Sequence, residues 1–131
     1  MIIDTSVIIA ILYNEPDRQS FIDAILKSDS RKLSAASYVE LGAVIERQND
    51  PVLSRQLDEL IKLLDIYIAD VDEVQARIAR AAYRDFGKGR GSKAQLNFGD
   101  TFSYALAIAK NESLLFKGND FSETDVRAAS S

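Results

Sequence analysis

The sequence predicts an α/β fold in which a short parallel sheet of four or five strands carries helices on both faces. Short apolar runs alternate along the chain with longer segments whose apolar residues recur every three or four positions. Parallel strands joined by helical crossovers are the usual outcome of such alternation. The 131 residues, 47% of them apolar, suffice for one compact core, so we expect a single domain over residues 1–131.

A strand and two helices are predicted first. The apolar run at 1–4 is typical of a buried strand, and the hydroxyls of Thr5 and Ser6 stand where a helix through 7–12 begins. A second helix is expected to start around Pro16, because proline is tolerated in a first helical turn. Its predicted apolar face consists of Phe21, Ile22, Ile25 and Leu26.

A second strand and two more helices follow. Residues 33–35 form a brief apolar run, and Ser37 and Glu40 then have the spacing of a capping box at a helix start. Asp50 before Pro51 marks the start of the next helix. The apolar side of that helix is predicted to be Leu53, Leu57, Leu60, Ile61 and Leu64.

The second half of the chain continues the alternation. We predict strands at 66–69 and 114–116, a polar loop over 87–97, a helix over 100–110 and a last short strand at 125–128. Between the first of these strands and the loop lies a long helix. Its predicted buried stripe consists of Val71, Val74, Ile78, Ala82 and Phe86.

The composition excludes several kinds of chemistry. The chain contains no Cys and no His, so disulfide scaffolds, zinc fingers and catalysis by imidazole or thiolate are ruled out. Carboxylate, amine, guanidinium, hydroxyl and amide groups remain. No apolar run approaches the roughly 20 residues of a membrane span. The first residues lack a basic segment and a cleavage site typical of a signal peptide, so we expect a cytoplasmic protein without membrane contact.

Four acidic residues follow predicted strands or begin predicted helices: Asp4, Glu40, Asp100 and Asp120. In a parallel sheet, such positions converge at the carboxyl ends of the strands, where ligands bind at the topological switch point. Each acid also has a structural interpretation as a helix cap or turn residue, and the capping box with Ser37 explains Glu40 without any function. The four together are harder to explain as caps.

Converging carboxylates indicate a cation. Two carboxylates about 4 Å apart repel by roughly 4 kcal/mol at an effective dielectric near 20. Oxygen ligands without His or Cys select hard cations, which here means Mg²⁺, with Mn²⁺ as the alternative. Such ions support phosphodiester hydrolysis by a metal-activated water. The sequence therefore predicts metal-dependent phosphodiester hydrolysis.

Four segments resemble a known family. The runs MIIDTS, AASYVELGAVIE, LNFGDTFSYALA and LLFKGNDFSETD, in this order, are similar to PIN-domain ribonucleases, and more narrowly to the VapC toxins of bacterial type II toxin–antitoxin modules. The resemblance spans the whole chain. It implies a PIN-like α/β domain, Mg²⁺-dependent endoribonuclease activity on RNA, a homodimer and inhibition by a cognate antitoxin protein.

The resemblance also implies roles for individual residues. Asp4, Glu40 and Asp100 match the family's metal-binding acids, and Thr5 or Ser6 matches its hydroxyl beside the metal. The family often has KGDDF where this chain has KGNDF, so the fourth acid is either Asp120 or replaced by the neutral Asn119. As a mechanism we expect Asp4 and Asp100 to hold the metal, and Glu40 to bind it directly or through water and to orient the attacking water. The hydroxyl of Ser6 or Thr5 would support this network.

A basic segment stands out against a net charge of −4. A basic helix face is often only solvated, but beside a phosphodiester site we favour RNA contact. The candidate RNA-binding residues are Arg77, Arg80, Arg84, Lys88, Arg90 and Lys93.

Two other functions fit the same sequence. A non-catalytic interaction module would use the acids as caps and bind a partner through its apolar helices, where Leu57, Leu60 and Leu64 suggest a surface for dimerisation or for an antitoxin. A phosphotransferase with an aspartate nucleophile would also place Asp4 after the first strand. Such enzymes usually carry a second acid two residues later, and Ser6 occupies that position here.

Overall fold

A four-stranded parallel sheet forms the centre of the fold, as seen in a computed structural model that describes residues 1–130. The strand order is β3-β2-β1-β4, and every neighbouring pair is parallel. The predicted fold class is therefore confirmed. The predicted last strand at 125–128 is reduced to a single bridge between Leu114 and Ala128. The strands are β1 (Ile2–Ile3), β2 (Lys32–Ser34), β3 (Tyr67–Ala69) and β4 (Leu114–Leu115).

Six helices cover the two faces of this sheet within residues 1–130. The side chains of each strand alternate between the two faces. Ile3 and Leu115 pack in a core with the first four helices, whereas Ile2 and Leu114 pack against the last two. The helices are α1 (Thr5–Leu12), α2 (Arg18–Lys27), α3 (Ala35–Glu46), α4 (Pro51–Leu63), α5 (Glu73–Phe86) and α6 (Asp100–Lys110).

Three predicted helix starts are wrong. Helix α2 begins at Arg18 with Asp17 at its N-cap position, so Pro16 lies before the helix and not in its first turn. The other two errors concern capping side chains. Helix α1 is capped by the side chain of Asp4 rather than by a hydroxyl of the following residues. Helix α3 begins at Ala35 with Ser34 as its cap, so Ser37 lies inside the helix and the predicted capping box with Glu40 does not form. The Glu40 carboxylate is thus free of the structural role that the sequence offered for it.

Some predicted core residues are exposed, and some predicted surface residues are buried. Leu26 and Val74 are 52% and 61% exposed, because each lies outside the buried face of its helix. Conversely, Leu57 and Leu64 are buried in the core, so they cannot form the predicted partner surface. The exposed leucine of α4 is Leu63, at 80%. Asp50 caps α4 as predicted.

The topology fixes where a site is expected. The chain runs from β1 to β2 and β3 on one side and then returns to place β4 on the other side of β1. Ligands in such sheets bind at the carboxyl edge where the strand order reverses. Asp4 directly follows β1 at this point. None of the helices in residues 1–130 is both long and apolar enough to cross a bilayer.

Candidate metal centre

Asp4 is a buried carboxylate held by three hydroxyl or amide donors. Its Oδ2 accepts hydrogen bonds from the backbone N–H of Ser6 (3.1 Å) and the hydroxyl of Ser6 (2.7 Å). Its Oδ1 accepts from the hydroxyl of Ser103 on α6 at 2.6 Å. Ser6 Oγ in turn accepts from the backbone N–H of Lys117, just after β4. These bonds fix the Asp4 carboxylate at the switch point between β1 and β4.

Glu40 lies against the start of α6. A Cβ placed on Gly99 would stand 1.8 Å from Glu40 Oε2, so only glycine lets the carboxylate approach this turn. Burial raises the pKa of Glu40 above its ordinary value, and the Asp4 carboxylate raises it further, whereas a hydrogen bond from Thr5 acts in the opposite direction. Glu40 is therefore in electrostatic contact with Asp4 and placed beside Asp100.

Asp100 opens α6 and is only 7% exposed. Its Oδ2 accepts a hydrogen bond from the backbone N–H of Asn97 at 3.0 Å, and the Asn97 side chain accepts one from the N–H of Asp100 at 2.8 Å. Burial raises the pKa of Asp100 to about 7, although the Asn97 hydrogen bond opposes the rise. The carboxylates of Asp4, Asp120 and Glu40 add to the increase. Asp100 is thus a buried acid facing three others.

The fourth acid position is occupied by an exposed turn. Asp120 is exposed, yet its charge reaches Asp100 and raises the pKa of that carboxyl. The neighbouring Asn119 is also exposed, and its backbone carbonyl accepts a hydrogen bond from the N–H of Ser122. The structure therefore brings Asp120 into the electrostatic field of the other three acids.

The predicted basic residues divide into a helix group and a loop group. Arg77, Arg80 and Arg84 line one cleft of about 440 Å³ on α5. The loop group is exposed and does not line this cleft; it consists of Lys88, Arg90 and Lys93. Arg77 pairs with Glu73 and Arg84 with Asp85, each at 3.0 Å. Within residues 1–130, Arg80 has no carboxylate within 4.0 Å.

The acidic side chains fit a hard divalent cation chemically. All available ligands are carboxylate or hydroxyl oxygens, which Mg²⁺ and Mn²⁺ prefer. In residues 1–130, no three acidic side chains are gathered tightly enough to form a coordination shell as they stand. Carboxylates repel one another at short distance, so a closer approach of these side chains would need a cation between them. The pKa of Asp100 is raised chiefly by burial, and the neighbouring negative charges raise it further.

Sequence reasoning missed the residues that support the acids. Ser103 is three positions after Asp100 on the same helix face, and this spacing was the available signal. Its hydroxyl also lies 3.4 Å from that of Ser37, which is likewise buried. Asn97 precedes Asp100 by the same interval. Gly99 gave no local signal, because its role depends on Glu40, which is distant in sequence.

Comparison with known proteins agrees with this architecture. Residues 1–127 match the family model for the PIN domain. Ribonuclease VapC28 of Mycobacterium tuberculosis is 57% identical over 129 residues, which cover 98% of this chain and 97% of that protein. Ribonuclease VapC of Mycolicibacterium smegmatis is 45% identical, with 98% of each chain covered. The alignments with these two proteins therefore span nearly the whole chain.

Solved structures show the same fold at low sequence identity. The crystal structure of Mycobacterium tuberculosis VapC20 superimposes with a TM-score of 0.77 at 14% identity and covers 99% of this chain and 98% of that one. A toxin–antitoxin complex from Klebsiella pneumoniae gives a TM-score of 0.72 at 13% identity, with 95% of this chain and 92% of that one covered. Together with the sequence relatives, these matches show that the chain belongs to the PIN domain family, in the group of VapC ribonucleases.

Proposed function

We propose that this protein is a Mg²⁺-dependent endoribonuclease, with Mn²⁺ as the alternative ion, and the toxin of a toxin–antitoxin pair. The observation that carries the proposal is Asp100, a buried acid whose pKa is raised to about 7 beside Asp4, Glu40 and Asp120. Such an arrangement is costly without a cation and is typical of a functional site. The names of the VapC ribonucleases that resemble the chain support RNA as the substrate.

Asp4 and Asp100 would hold the cation, and Glu40 would bind it directly or through a water. Asp120, or Asn119 in its place, would take the fourth position. When bound, the cation offsets the negative charge that develops on the phosphodiester during hydrolysis. The Asp4 carboxylate is already oriented by Ser6 and Ser103, and these three hydrogen bonds leave one lone pair, on Oδ1, for a further ligand. Asp100 keeps its Oδ1 free of the Asn97 hydrogen bond.

Glu40 is the residue that orients the attacking water and takes its proton. Its raised pKa brings this carboxylate closer to the neutral range in which a general base works best. Thr5 opposes the rise in the pKa of Glu40, and Ser6 connects Asp4 to the end of β4. The chain contains no His, so hydrolysis by water is favoured over attack by the RNA 2′-hydroxyl assisted by imidazole.

The arginine cleft on α5 is proposed to attract the RNA. The protein as a whole carries a net charge of −4, which repels a polyanion. Arg77, Arg80 and Arg84 concentrate positive charge on one face and favour phosphate contacts. Lys88, Arg90 and Lys93 extend this charge into the following loop. Lys117 is less suited, because its ammonium already pairs with Glu15 and Asp17.

The antitoxin is proposed to bind between α1 and α4. A cleft of about 410 Å³ lies there, and Leu63 at its edge is 80% exposed. Its apolar lining is Ile11, Leu12, Leu60 and Leu63, and its polar lining is Asn14, Arg18, Gln56 and Glu59. An amphipathic helix can bury its apolar face in such a groove. The structural likeness to a toxin–antitoxin complex supports a partner of this kind. We also propose a homodimer, which light scattering on the purified protein would measure.

Incubation of purified protein with total RNA and Mg²⁺ tests the proposed activity. We expect discrete cuts that disappear with EDTA and with Asp4→Asn. Asn is also a good helix cap, so this variant keeps the start of α1. Asp50→Asn is the matched control, because it makes the same change at the cap of α4 and should cut normally. Intact RNA from folded protein freed of antitoxin would instead favour the interaction module.

The proposed antitoxin groove has its own test. Leu63→Glu should abolish co-purification with the cognate antitoxin while leaving RNA cleavage unchanged. Val52→Glu is the control, because Val52 is exposed on the same helix but does not line the groove. Equal loss of the complex with both variants would argue against this groove.

A further inference from the structure

A small aromatic pocket lies between α5 and α6. Its walls are Tyr83, Phe98 and Phe102, its base includes Ala76 and Ala79, and its volume is about 390 Å³. This is within the range of about 300–1,000 Å³ that is usual for small-molecule sites. Phe98 and Phe102 meet nearly at right angles, with ring centroids 5.1 Å apart.

Phe98 is an unusual residue to leave in solvent. It is 73% exposed, and Tyr83 across the pocket is 42% exposed. Large aromatic side chains exposed together around a concave surface mark an interaction site rather than ordinary surface. The uncovered surface of the Phe98 ring is therefore available to a flat ligand.

The pocket adjoins the acidic site through the first turn of α6. Phe98 is separated from Asp100 only by Gly99, and the Glu40 carboxylate lies close to this glycine. Thr101, on the other side of Asp100, also lines the pocket, and its hydroxyl donates to the Phe98 carbonyl at 2.6 Å. The pocket therefore shares the first turn of α6 with Asp100, although the Asp100 side chain does not line it.

Arg80 connects the pocket to the arginine cleft. It lines both cavities, together with Tyr83 and Phe98 in one and with Arg77 and Arg84 in the other. In residues 1–130, Arg80 alone of these three arginines has no carboxylate within 4.0 Å. Its guanidinium is therefore available for an anionic group on whatever occupies the pocket.

We propose that this pocket binds one unpaired nucleobase of the RNA, stacked on Phe98 and Tyr83, while Arg80 contacts an adjoining phosphate. The inference rests on the proposed ribonuclease function and adds a subsite to it. A flat base matches the exposed ring, and the adjacent arginines are complementary to the charge of its backbone. An apolar protein segment would leave the positive charge of Arg80 without a negatively charged partner. A paired base cannot enter, so the subsite selects single-stranded regions.

RNA binding in EDTA tests the subsite separately from cleavage. The probe is a short fluorescein-labelled single-stranded RNA, followed by fluorescence anisotropy. We expect Phe98→Ala to weaken binding about tenfold, in line with the loss of one stacked base. Phe98→Trp should retain affinity. Tyr67→Ala is the matched control, because Tyr67 is an aromatic residue 64% exposed at the amino end of β3, and it should bind normally.

Two further measurements identify the occupant. Phe98→Trp creates the only tryptophan of the chain, and we expect a stacked base to quench its fluorescence at saturating RNA. RNAs that carry an abasic nucleotide at each position in turn should include one that binds more weakly to the parent protein. For that RNA, Phe98→Ala should cause no further loss, because both changes remove the same contact.

Several results would overturn the subsite. These are unchanged RNA affinity of Phe98→Ala, an unquenched indole, or no RNA binding by the parent protein. If Phe98→Ala separates a two-chain species into single chains at unchanged RNA affinity per chain, the pocket belongs to a second copy of the protein. RNA that binds through Phe98 but is never cut would contradict the proposed function and leave the subsite standing.

Discussion

Two carboxyl groups at opposite edges of the sheet show opposite electrostatic behaviour. Asp100 belongs to the carboxyl edge, where burial and three neighbouring acids raise its pKa to about 7. Glu112 precedes β4 at the amino edge. Burial acts to raise the pKa of Glu112 as well, but hydrogen bonds from Lys32 and from the Met1 amino group outweigh it, so its pKa lies below the ordinary value.

The difference lies in the neighbours. Glu112 Oε1 is 2.6 Å from the Met1 amino nitrogen, and its Oε2 pairs with the Lys32 ammonium. Asp100 has no Lys or Arg within 4.0 Å in residues 1–130. A compensated carboxylate holds the ends of strands together, whereas an uncompensated one implies a positively charged ligand. The amino edge is therefore structural, and the carboxyl edge is where chemistry is expected.

The largest expected contrast concerns activity. Asp100→Asn removes a proposed ligand and should lower the rate of RNA cleavage by at least about 100-fold, within the range seen when a catalytic group is lost. Glu112→Gln makes the same chemical change at the amino edge and should keep nearly full activity. Initial rates on one mapped RNA site would measure both. Equal losses in the two variants would mean that the edges do not differ in function.

The pH dependence of stability provides the next contrast. In EDTA, the folded state holds the Asp100 proton up to about pH 7, whereas the unfolded chain loses it near the ordinary value of 3.8. The folded state therefore binds more protons between these values, and its stability falls as pH rises through this window. A rise of about three pKa units corresponds to at most about 4 kcal/mol.

Asp100→Asn removes this cost, so it should be more stable than the parent above pH 7 in EDTA. Near pH 4 the two proteins should be equally stable, because Asp100 is then protonated in the parent fold. Urea unfolding at several pH values measures the difference, from which the titration of groups remote from Asp100 cancels. A stability difference that does not change with pH would show that the pKa of Asp100 is not raised in the folded protein.

The sequence contained enough local information for the parallel α/β fold and for the order of its elements. Short apolar runs and helical periodicity arise from neighbouring residues, which is why β1 and α4 were predicted close to their true positions. Cap assignments failed where two choices competed. Ser34 and Ser37 are both good caps, and only the end of β2 decides that Ser34 begins the helix.

The candidate acids could be picked from sequence because each follows a strand or begins a helix. Their supporting contacts could not, because they join distant segments. Ser103 reaches Asp4 across 99 positions, and Gly99 receives Glu40 from another helix. The ion pairs of Arg77 and Arg84 join residues one and four positions apart on α5, so the lack of such a partner for Arg80 is readable from the sequence. Its position between two cavities is not, because one of them also includes residues of α6.

A divalent cation should separate the two edges by thermal stability. Mg²⁺ at about 100 times its Kd should stabilise the parent protein by about 2.7 kcal/mol, because it binds the folded acids and hardly the unfolded chain. Glu112→Gln should show the same gain, whereas Asp100→Asn should lose most of it. Melting curves with and without Mg²⁺ test this. A melting temperature of the parent protein that does not change when Mg²⁺ is added would contradict the metal centre.

The smallest expected effect belongs to the compensated edge. Glu112→Gln removes the negative charge that pairs with both Lys32 and the Met1 amino group. We expect the free energy of unfolding to fall by about 1 kcal/mol, since a hydrogen-bonded but solvent-accessible pair contributes modestly.

The lowered pKa of Glu112 makes this effect depend on pH. The stability that Glu112 contributes is present above its ordinary pKa of 4.5 and is lost as the pH falls through its pKa in the folded protein. The stability difference between parent and variant should therefore shrink towards acid. Near neutral pH its sign is opposite to that of Asp100→Asn, because Glu112→Gln destabilises the protein and Asp100→Asn stabilises it. Urea unfolding over the same pH values measures it. If both variants moved stability in the same direction, charge compensation would not explain why one edge is structural and the other reactive.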